Sequence, residues 1–377
     1  MAERAAGWSR RTERPMIHTG WIPGRGTNRL VSRTRESAIL RGLVLACGLT
    51  LVAAAPASGA ANLAQPAARP AQAAKKTTPA KPTPAKRVVR RSKPAPETPI
   101  PRYKIDRTGS LVPDLHAEAA IIYNPDTEEI LWEENSRNER SIASITKVMT
   151  ATIIIETKPD LERQVAIERS DTRAASTTLL RTGDRVTTGD LLHLALIASD
   201  NAAARALART SPWGASGFVH RMNEKARELD LHSTRYADPS GLLATNVSSA
   251  YDMARLMAYA ARDELISDIM RKPEYPVWTG RRTVVARSTN MLLRRTDLGD
   301  LEVRGGKTGF TSKSGYCFAT LLSLPAFKQQ VAVVVLGARS NAGRFLETRN
   351  IISWLSVKAR DLFRQAGSAA RAPSSSE

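Results

Sequence analysis

The chain has 377 residues and a formal charge of +20, from 56 Lys and Arg against 36 Asp and Glu. The excess is uneven: residues 1–102 carry 19 basic against 4 acidic side chains, and residues 103–377 carry 37 against 32. The basic balance therefore describes the front of the chain, and it does not by itself make the body, about 275 residues long, a nucleic-acid-binding module.

A body of that size can bury a proper core and suits one domain with a subdomain. Ahead of it, "ILRGLVLACGLTLVAAAPASGA" (39–60) places Arg41 before an uncharged apolar stretch and then small residues suited to cleavage after Ala60. Residues 1–60 thus read as an export signal with a long leading region, for which Met16 is an alternative start. The apolar stretch Leu43–Ala55 is short for a membrane span, and an uncleaved anchor is the alternative. Residues 61–102, rich in Pro, Ala and Lys, cannot form a core and read as an extended, solvated linker. After an export signal its basic runs would meet no nucleic acid; an anionic envelope surface suits them, against the plainer reading of a linker without a specific partner. Cys47 lies within the signal, leaving Cys317 alone in the exported chain and no intramolecular disulfide. The five histidines form no HExxH, and no CxxC occurs, so neither a metal site nor a cofactor is expected.

Residues 103–366 are expected to be the folded domain. "HAEAAIIYNPDTEEILWEEN" (116–135) reads as a β-hairpin turning at Asn124–Thr127. "SIASITKVMTATIII" (141–155) follows as a helix, and 161–187 is mixed and polar. The stretch 187–210 has a helical pattern broken at Ser199–Asn201, and 214–231 is an amphipathic helix. "SSAYDMARLMAYAARDEL" begins with a serine cap. Three adjacent strands follow, "LEVRGGKTGFT", "YCFATLLSLP" and "QQVAVVVLGARS", then the amphipathic "FLETRNIISWLSVKARDLFRQA" and a frayed tail, 367–377. Two strands in front, a helical middle and three strands behind predict an α+β fold. In it one five-stranded antiparallel sheet is assembled from both ends of the chain and covered by helices, with a helical subdomain inserted.

Ser144 and Lys147 stand three apart at the start of an apolar helix, so hydroxyl and amine share a face. A lysine whose pKa is lowered by burial or by a second cation can take the serine proton and make it a nucleophile. The plainer reading, a capping serine and a solvated first-turn lysine, wins for an isolated pair. Company changes the balance: Ser199-Asp200-Asn201 comes 55 residues after Ser144, and Lys307-Thr308-Gly309 a further 108 residues on. Two competitors are set aside. Ser288-Thr289-Asn290 precedes a strand rather than breaking a helical lobe, and Lys313-Ser314-Gly315 sits at a turn between strands.

S-x-x-K, S-D-N and K-T-G in this order are the signature of penicillin-binding proteins and class A β-lactamases. Residues 116–356 resemble the low-molecular-mass penicillin-binding proteins, the serine D-alanyl-D-alanine peptidases that trim peptidoglycan. The likeness is carried by "NPDTEEILWEENSRNERSIASITKVMTA", "LLHLALIASDNAAARALA", "YADPSGLLATNVSSAYDMARL", "GGKTGFTSKSGYCFAT" and "VAVVVLGARSNAGRF". "GGKTGFT" in a short chain is most similar to the D-alanyl-D-alanine endopeptidase branch. The resemblance implies a β-lactamase/penicillin-binding-protein-like fold, peptidoglycan stem peptides as substrate, and β-lactam antibiotics as covalent inhibitors. With the export signal, it implies an exported enzyme, in the periplasm or on the extracytoplasmic face of the cell envelope. Ser144 would be the acylated nucleophile and Lys147 its base. Ser199 would relay a proton to the leaving amine, and Asn201 would hold a substrate amide and Lys147. Lys307 would add positive charge near the substrate carboxylate and depress Lys147, while Thr308 would bond that carboxylate. The backbone N–H groups of Ser144 and Phe310 would form the oxyanion hole. Arg344 would lie near the carboxylate pocket, against the alternative of a solvated helix-start arginine. Gly305, Gly306 and Gly309 read as structural.

Two alternatives remain at this point. A class A-like β-lactamase needs a water-positioning glutamate after S-D-N, but His232–Leu242 holds none, and Glu228 reads as a surface charge on a helix. A non-catalytic wall-binding protein would have lost some of the motif side chains.

Overall fold

A computed structural model describes residues 100–295 and 298–369, with side chains described as far as Ala359. The expected export signal, the linker as far as residue 99, and the chain from 370 onward lie outside the described residues. The chain opens with β1 (Tyr103–Ile105), β2 (Leu111–Pro113), β3 (Ala119–Tyr123), β4 (Ile130–Glu134) and β5 (Arg140–Ser141). A 3-10 turn at Ala143–Ile145 leads into α1 (Thr146–Glu156). Then come β6 (Gln164–Ala166), α2 (Arg169–Thr172), β7 (Arg185–Thr187), α3 (Thr188–Ile197), α4 (Asn201–Thr210) and α5 (Gly214–Glu228). β8 (Val247–Ser248), α6 (Ala250–Ala260), α7 (Glu264–Arg271), β9 (Glu274–Trp278) and β10 (Thr283–Arg287) follow. The last elements are β11 (Glu302–Thr311), β12 (Gly315–Leu324), β13 (Gln329–Ala338) and α8 (Gly343–Ala369).

The central sheet has the order β11-β12-β13-β3-β4 and every pairing is antiparallel. It is the five-stranded sheet expected from the two ends of the chain, joined where Val333 faces Ile122. Alternation explains the unbroken apolar run of β13. Val334 and Leu336 pack with Ile121 and Tyr123 toward the helical lobe, while Val331, Val333 and Val335 pack with Ile122 against Ile351 and Leu355 of α8. The Asn124 carboxamide accepts from the Asp126 and Thr127 N–H groups, closing the β3–β4 turn.

At the front, Arg102 N–H donates to Asn350 Oδ1 (2.9 Å) and Trp354 Nε1–H to the Leu111 carbonyl (2.7 Å), which lashes the β1–β2 hairpin to α8. Arg102, expected to end the linker, is thus part of the packed body, and α8 continues past residue 366 to Ala369. β9 and β10 form a hairpin that the sequence did not announce, because Pro276 interrupts an otherwise half-exposed strand. Among the described residues no helix is long and apolar enough to cross a membrane.

α1 is buried on every side from Thr146 to Ile154, packed among α3, α4, α5 and α6. A helix enclosed in this way has no solvated face for a charge. Lys147 is nevertheless on it.

Candidate active site

The turn that carries Ser144 is held from two directions. Gly241 (φ +80°) approaches so closely that a Cβ there would lie 2.0 Å from the Ala143 carbonyl oxygen. A Cβ on Gly309 of β11 would lie 2.6 Å from the Ile142 oxygen and 3.2 Å from the Ser144 nitrogen. Only residues without a side chain fit at these contacts. Ala143 itself takes a left-handed φ of +48°, a conformation costing about 1–2 kcal/mol for a residue with a Cβ. Neither the turn nor α1 has a side-chain cap at its start, so Ser144 is not the helix cap of the plainer reading.

Lys147 is fully buried. Its Nζ lies 3.0 Å from Ser144 Oγ, 2.6 Å from Asn201 Oδ1 and 2.5 Å from the Ser240 carbonyl oxygen. Burial lowers its pKa to about 7, helped slightly by Arg205 and opposed by the carboxylates of Asp200 and Asp238. Near neutrality a substantial fraction is therefore uncharged and can accept a proton.

Asn201 starts α4 where the helical pattern breaks. Ser199 bridges the gap in a left-handed conformation (φ +59°), and Asp200 caps α4 by accepting from the Ala203 N–H at 2.9 Å. The Asn201 amide nitrogen donates to the Ala175 carbonyl (2.6 Å), which leaves its oxygen oriented at Lys147. Lys307, also fully buried, donates to Ser199 Oγ (2.8 Å) and to the Thr308 carbonyl (2.9 Å). Its pKa is pushed well below the usual lysine range by burial, then by repulsion from Lys147 and Arg344. Burial is the main depressant of Lys147, and the repulsion between the two buried ammonium groups acts on both.

The Thr308 hydroxyl donates to Thr289 Oγ1 (2.7 Å). Phe310, two residues further on β11, exposes its ring and stacks it on Tyr316 with centroids 4.2 Å apart. Arg344 is not the solvated helix-start residue of the alternative. It is 7% exposed, and its Nη1 donates to the Gly309 (3.0 Å) and Cys317 (3.3 Å) carbonyls, while Nη2 donates to Asn341 Oδ1. Burial brings its pKa down to about 10. Arg344 therefore sits directly behind the K-T-G strand.

Three participants escaped the sequence reading. Ser240 supplies its carbonyl to Lys147. Asp238 holds that loop: Oδ1 accepts from Ser240 N–H (2.6 Å), Ser240 Oγ–H (2.6 Å) and Gly241 N–H (2.8 Å), and Oδ2 from Leu243 N–H (2.7 Å) and Asn246 Nδ2 (2.8 Å). The Asp-Pro-Ser-Gly tetrapeptide was the available signal, since an aspartate before such a turn accepts backbone N–H groups ahead of it. Thr289 belongs to the S-x-N stretch set aside as a competitor. Its middle residue nevertheless borders the site, through the Thr308 hydroxyl. Lys313 lies in the β11–β12 turn, and Glu228 is an exposed partner of Arg221, as expected.

Residues 106–340 match the family model described as D-alanyl-D-alanine carboxypeptidase. The chain is 32% identical over 246 residues to a D-alanyl-D-alanine endopeptidase of Pseudomonas aeruginosa, covering 64% of this chain and 78% of that one. It is 28% identical over 247 residues to the D-alanyl-D-alanine endopeptidase of Escherichia coli, with the same coverage of 64% and 78%. A Bacillus subtilis D-alanyl-D-alanine carboxypeptidase is 29% identical over 245 residues, 63% of this chain and 61% of that one. Among solved structures, a Streptomyces DD-transpeptidase superposes with a TM-score of 0.59 at 24% identity, covering 64% of this chain and 97% of that one. A D-alanyl-D-alanine carboxypeptidase from Mycobacterium tuberculosis gives 0.59 at 24% identity, covering 64% and 92%. These likenesses establish the fold.

Proposed function

Because the chain belongs to the D-alanyl-D-alanine carboxypeptidase family, we propose that Ser144 is its acylated nucleophile and Lys147 the base that activates it. The protein is a serine-type hydrolase of D-Ala-D-Ala peptides, a low-molecular-mass penicillin-binding protein. The observation that carries the assignment is the Lys147 amine, buried, lowered to about 7 and 3.0 Å from the Ser144 hydroxyl.

Ser144 Oγ attacks the carbonyl carbon of a D-Ala residue as its proton passes to Lys147. The oxyanion that forms is met by the N–H groups of Ser144 and Phe310, donors needed only in the transition state. The C–N bond then breaks, and the leaving amine takes its proton from Lys147 through Ser199. Water hydrolyses the resulting ester and frees the enzyme. Thr308 bonds the carboxylate next to the leaving amine. Lys307 gains from that negative charge, which opposes the burial and repulsion lowering its pKa and draws it back toward the charged form.

We place the enzyme outside the cytoplasm, on peptidoglycan stem peptides, with an anionic envelope surface as the partner that suits the basic linker. Cross-links and terminal D-Ala are both within its chemistry. A β-lactam would be attacked at the same centre and released slowly, because the Asp238 carboxylate near Lys147 is engaged by five donors and is not free to position water. A fluorescent penicillin should label the protein and fail to label Ser144→Ala. Persistent labelling of the variant would refute the nucleophile, and rapid nitrocefin turnover would reassign the protein to the β-lactamases. Mass analysis of cross-linked and uncross-linked muropeptides after incubation gives the preferred bond.

A further inference from the structure

Two loops lock together beside the cleft. Arg185 N–H donates to the Thr279 carbonyl (2.9 Å), and Arg282 reaches from the β9–β10 turn to both oxygens of buried Asp184 (3.3 Å) and to the Leu179 carbonyl (2.7 Å). Their glycines allow close approach: a Cβ on Gly183 would lie 2.9 Å from the Arg281 guanidinium, and one on Gly280 would lie 3.5 Å from Arg185 Cβ. The result is a patch of three exposed arginines, Arg181, Arg185 and Arg281, that make no ion pair among the described residues. The acid of these loops, Asp184, is already committed to Arg282, and Asp171 of neighbouring α2 to Arg209. With 37 basic and 32 acidic side chains in residues 103–377, composition does not force such crowding. Like charges gathered without counter-ions oppose folding, and an arriving anion relieves them.

The same chain segment forms a wall of the cleft. Asn201 N–H donates to the Thr177 carbonyl (2.9 Å), its side chain to the Ala175 carbonyl (2.6 Å), and Leu179 N–H to Asp200 Oδ2 (2.6 Å). From there the backbone runs outward to Arg181. With the leaving-group carboxylate at Thr308 and the acyl-side amide at Asn201, as proposed above, an acyl peptide would leave the cleft over this wall.

We infer that Arg181, Arg185 and Arg281 form a subsite for carboxylates on the acyl side of the scissile bond, so that the enzyme selects acidic stem peptides over neutral ones. The inference rests on the function proposed above. A guanidinium fork matches a carboxylate in shape as well as charge, and exposure makes the attraction sensitive to salt.

The test is D-Ala release by the full chain from Ac-Glu-Ala-D-Ala-D-Ala and Ac-Gln-Ala-D-Ala-D-Ala, with a second pair carrying the acid one residue nearer the scissile bond. In at least one pair, kcat/KM should favour the acidic peptide about five- to tenfold at low salt, as expected for a partly exposed network of charges. The ratio should approach one at high salt and in the Arg181→Gln/Arg281→Gln double variant. Fluorescent penicillin reports whether the variant's cleft is intact; where it is not, the salt dependence of the unaltered protein decides. Equal rates within both pairs, from a protein that still binds penicillin, would overturn the subsite alone. Equal rates with arginine-dependent retention on immobilised polyglutamate would assign the patch to anchoring and overturn it likewise. Absence of both turnover and penicillin labelling would instead overturn the proposed function, and the subsite with it.

Discussion

Lys147 Nζ is hydrogen-bonded at 2.5 Å to the carbonyl oxygen of Ser240, 93 residues further along the chain. Together with Asn201 Oδ1 at 2.6 Å, this gives the amine two acceptors that have no hydrogen to offer back. An uncharged amine has two hydrogens and one lone pair, and those acceptors take both hydrogens. The lone pair is then left facing Ser144. The pair of acceptors thus chooses the direction of the base as well as its place.

Acylation should follow the deprotonation of Lys147. The base is active when uncharged, so with its pKa at about 7 the second-order rate of penicillin acylation falls tenfold per pH unit below that value and levels above it. The same depression bears on stability. Between about 7 and the ordinary lysine value of 10.5, the unfolded chain binds a proton that the folded one does not, so stability rises with pH across that window. Lys307 contributes in the same direction. Thermal melts at several pH values, repeated with Lys147→Met, should show a shallower slope in the variant. An acid limb far from neutrality would remove Lys147 from the role of base.

Asp238→Asn should slow penicillin acylation about 10- to 100-fold, as expected when a group orienting a catalytic base is disturbed. The carboxylate receives five donors on its two oxygens, and an amide would turn one oxygen into a donor facing donors. The loop would shift, and the Ser240 carbonyl with it. Since the negative charge of Asp238 raises the Lys147 pKa, the residual activity should have its acid limb displaced to lower pH. An unchanged profile with unchanged rate would reduce Asp238 to a loop residue of no consequence for Lys147.

A comparison of two glycines separates conformation from collision. Gly241 and Gly109 share φ +80°, but a Cβ at Gly241 would meet the Ala143 oxygen at 2.0 Å while one at Gly109 meets nothing within 4 Å. Gly109→Ala should cost about 1–2 kcal/mol, the strain of a left-handed alanine. Gly241→Ala should exceed it by at least about 2 kcal/mol and abolish penicillin labelling, because the Ser144 turn has to move. Chemical denaturation of both variants reads the difference; equal losses would mean that the loop yields freely.

Arg344→Met should destabilise the protein by about 2–4 kcal/mol through the Gly309 and Cys317 carbonyls left without a donor. Arg344→Lys should not restore it, since one ammonium cannot reproduce a planar fork that bridges two strands. Denaturation midpoints for the three proteins provide the check. A lysine variant as stable as the original would show that charge alone was needed.

Much of this arrangement is legible in the amino-acid order. The pairs Ser144–Lys147 and Ser199–Asn201 each span only three or four residues at a helix start, where helical spacing or a broken helix pattern announces them. The sheet follows from apolar strands at both ends of the body. What escaped has a common cause. Ser240 acts through its carbonyl, a group that every residue owns, so no residue type marks it. Arg344 at the start of an amphipathic helix gives no hint of the two carbonyls that draw it inward. The depression of Lys147 and Lys307 depends first on their burial, a quantity fixed only when strands and helices from distant segments meet.

The meeting of β3 with β13 carries a consequence for how the molecule is made. Ile122 and its partner Val333 are separated by 211 positions, so the first hairpin emerges from the ribosome long before the strand that will cover its open edge. Contacts of that reach form late and reward the chain only once loop closure has been met. A chain truncated before β13 therefore carries Ser144 without the strand that joins the two halves of the sheet.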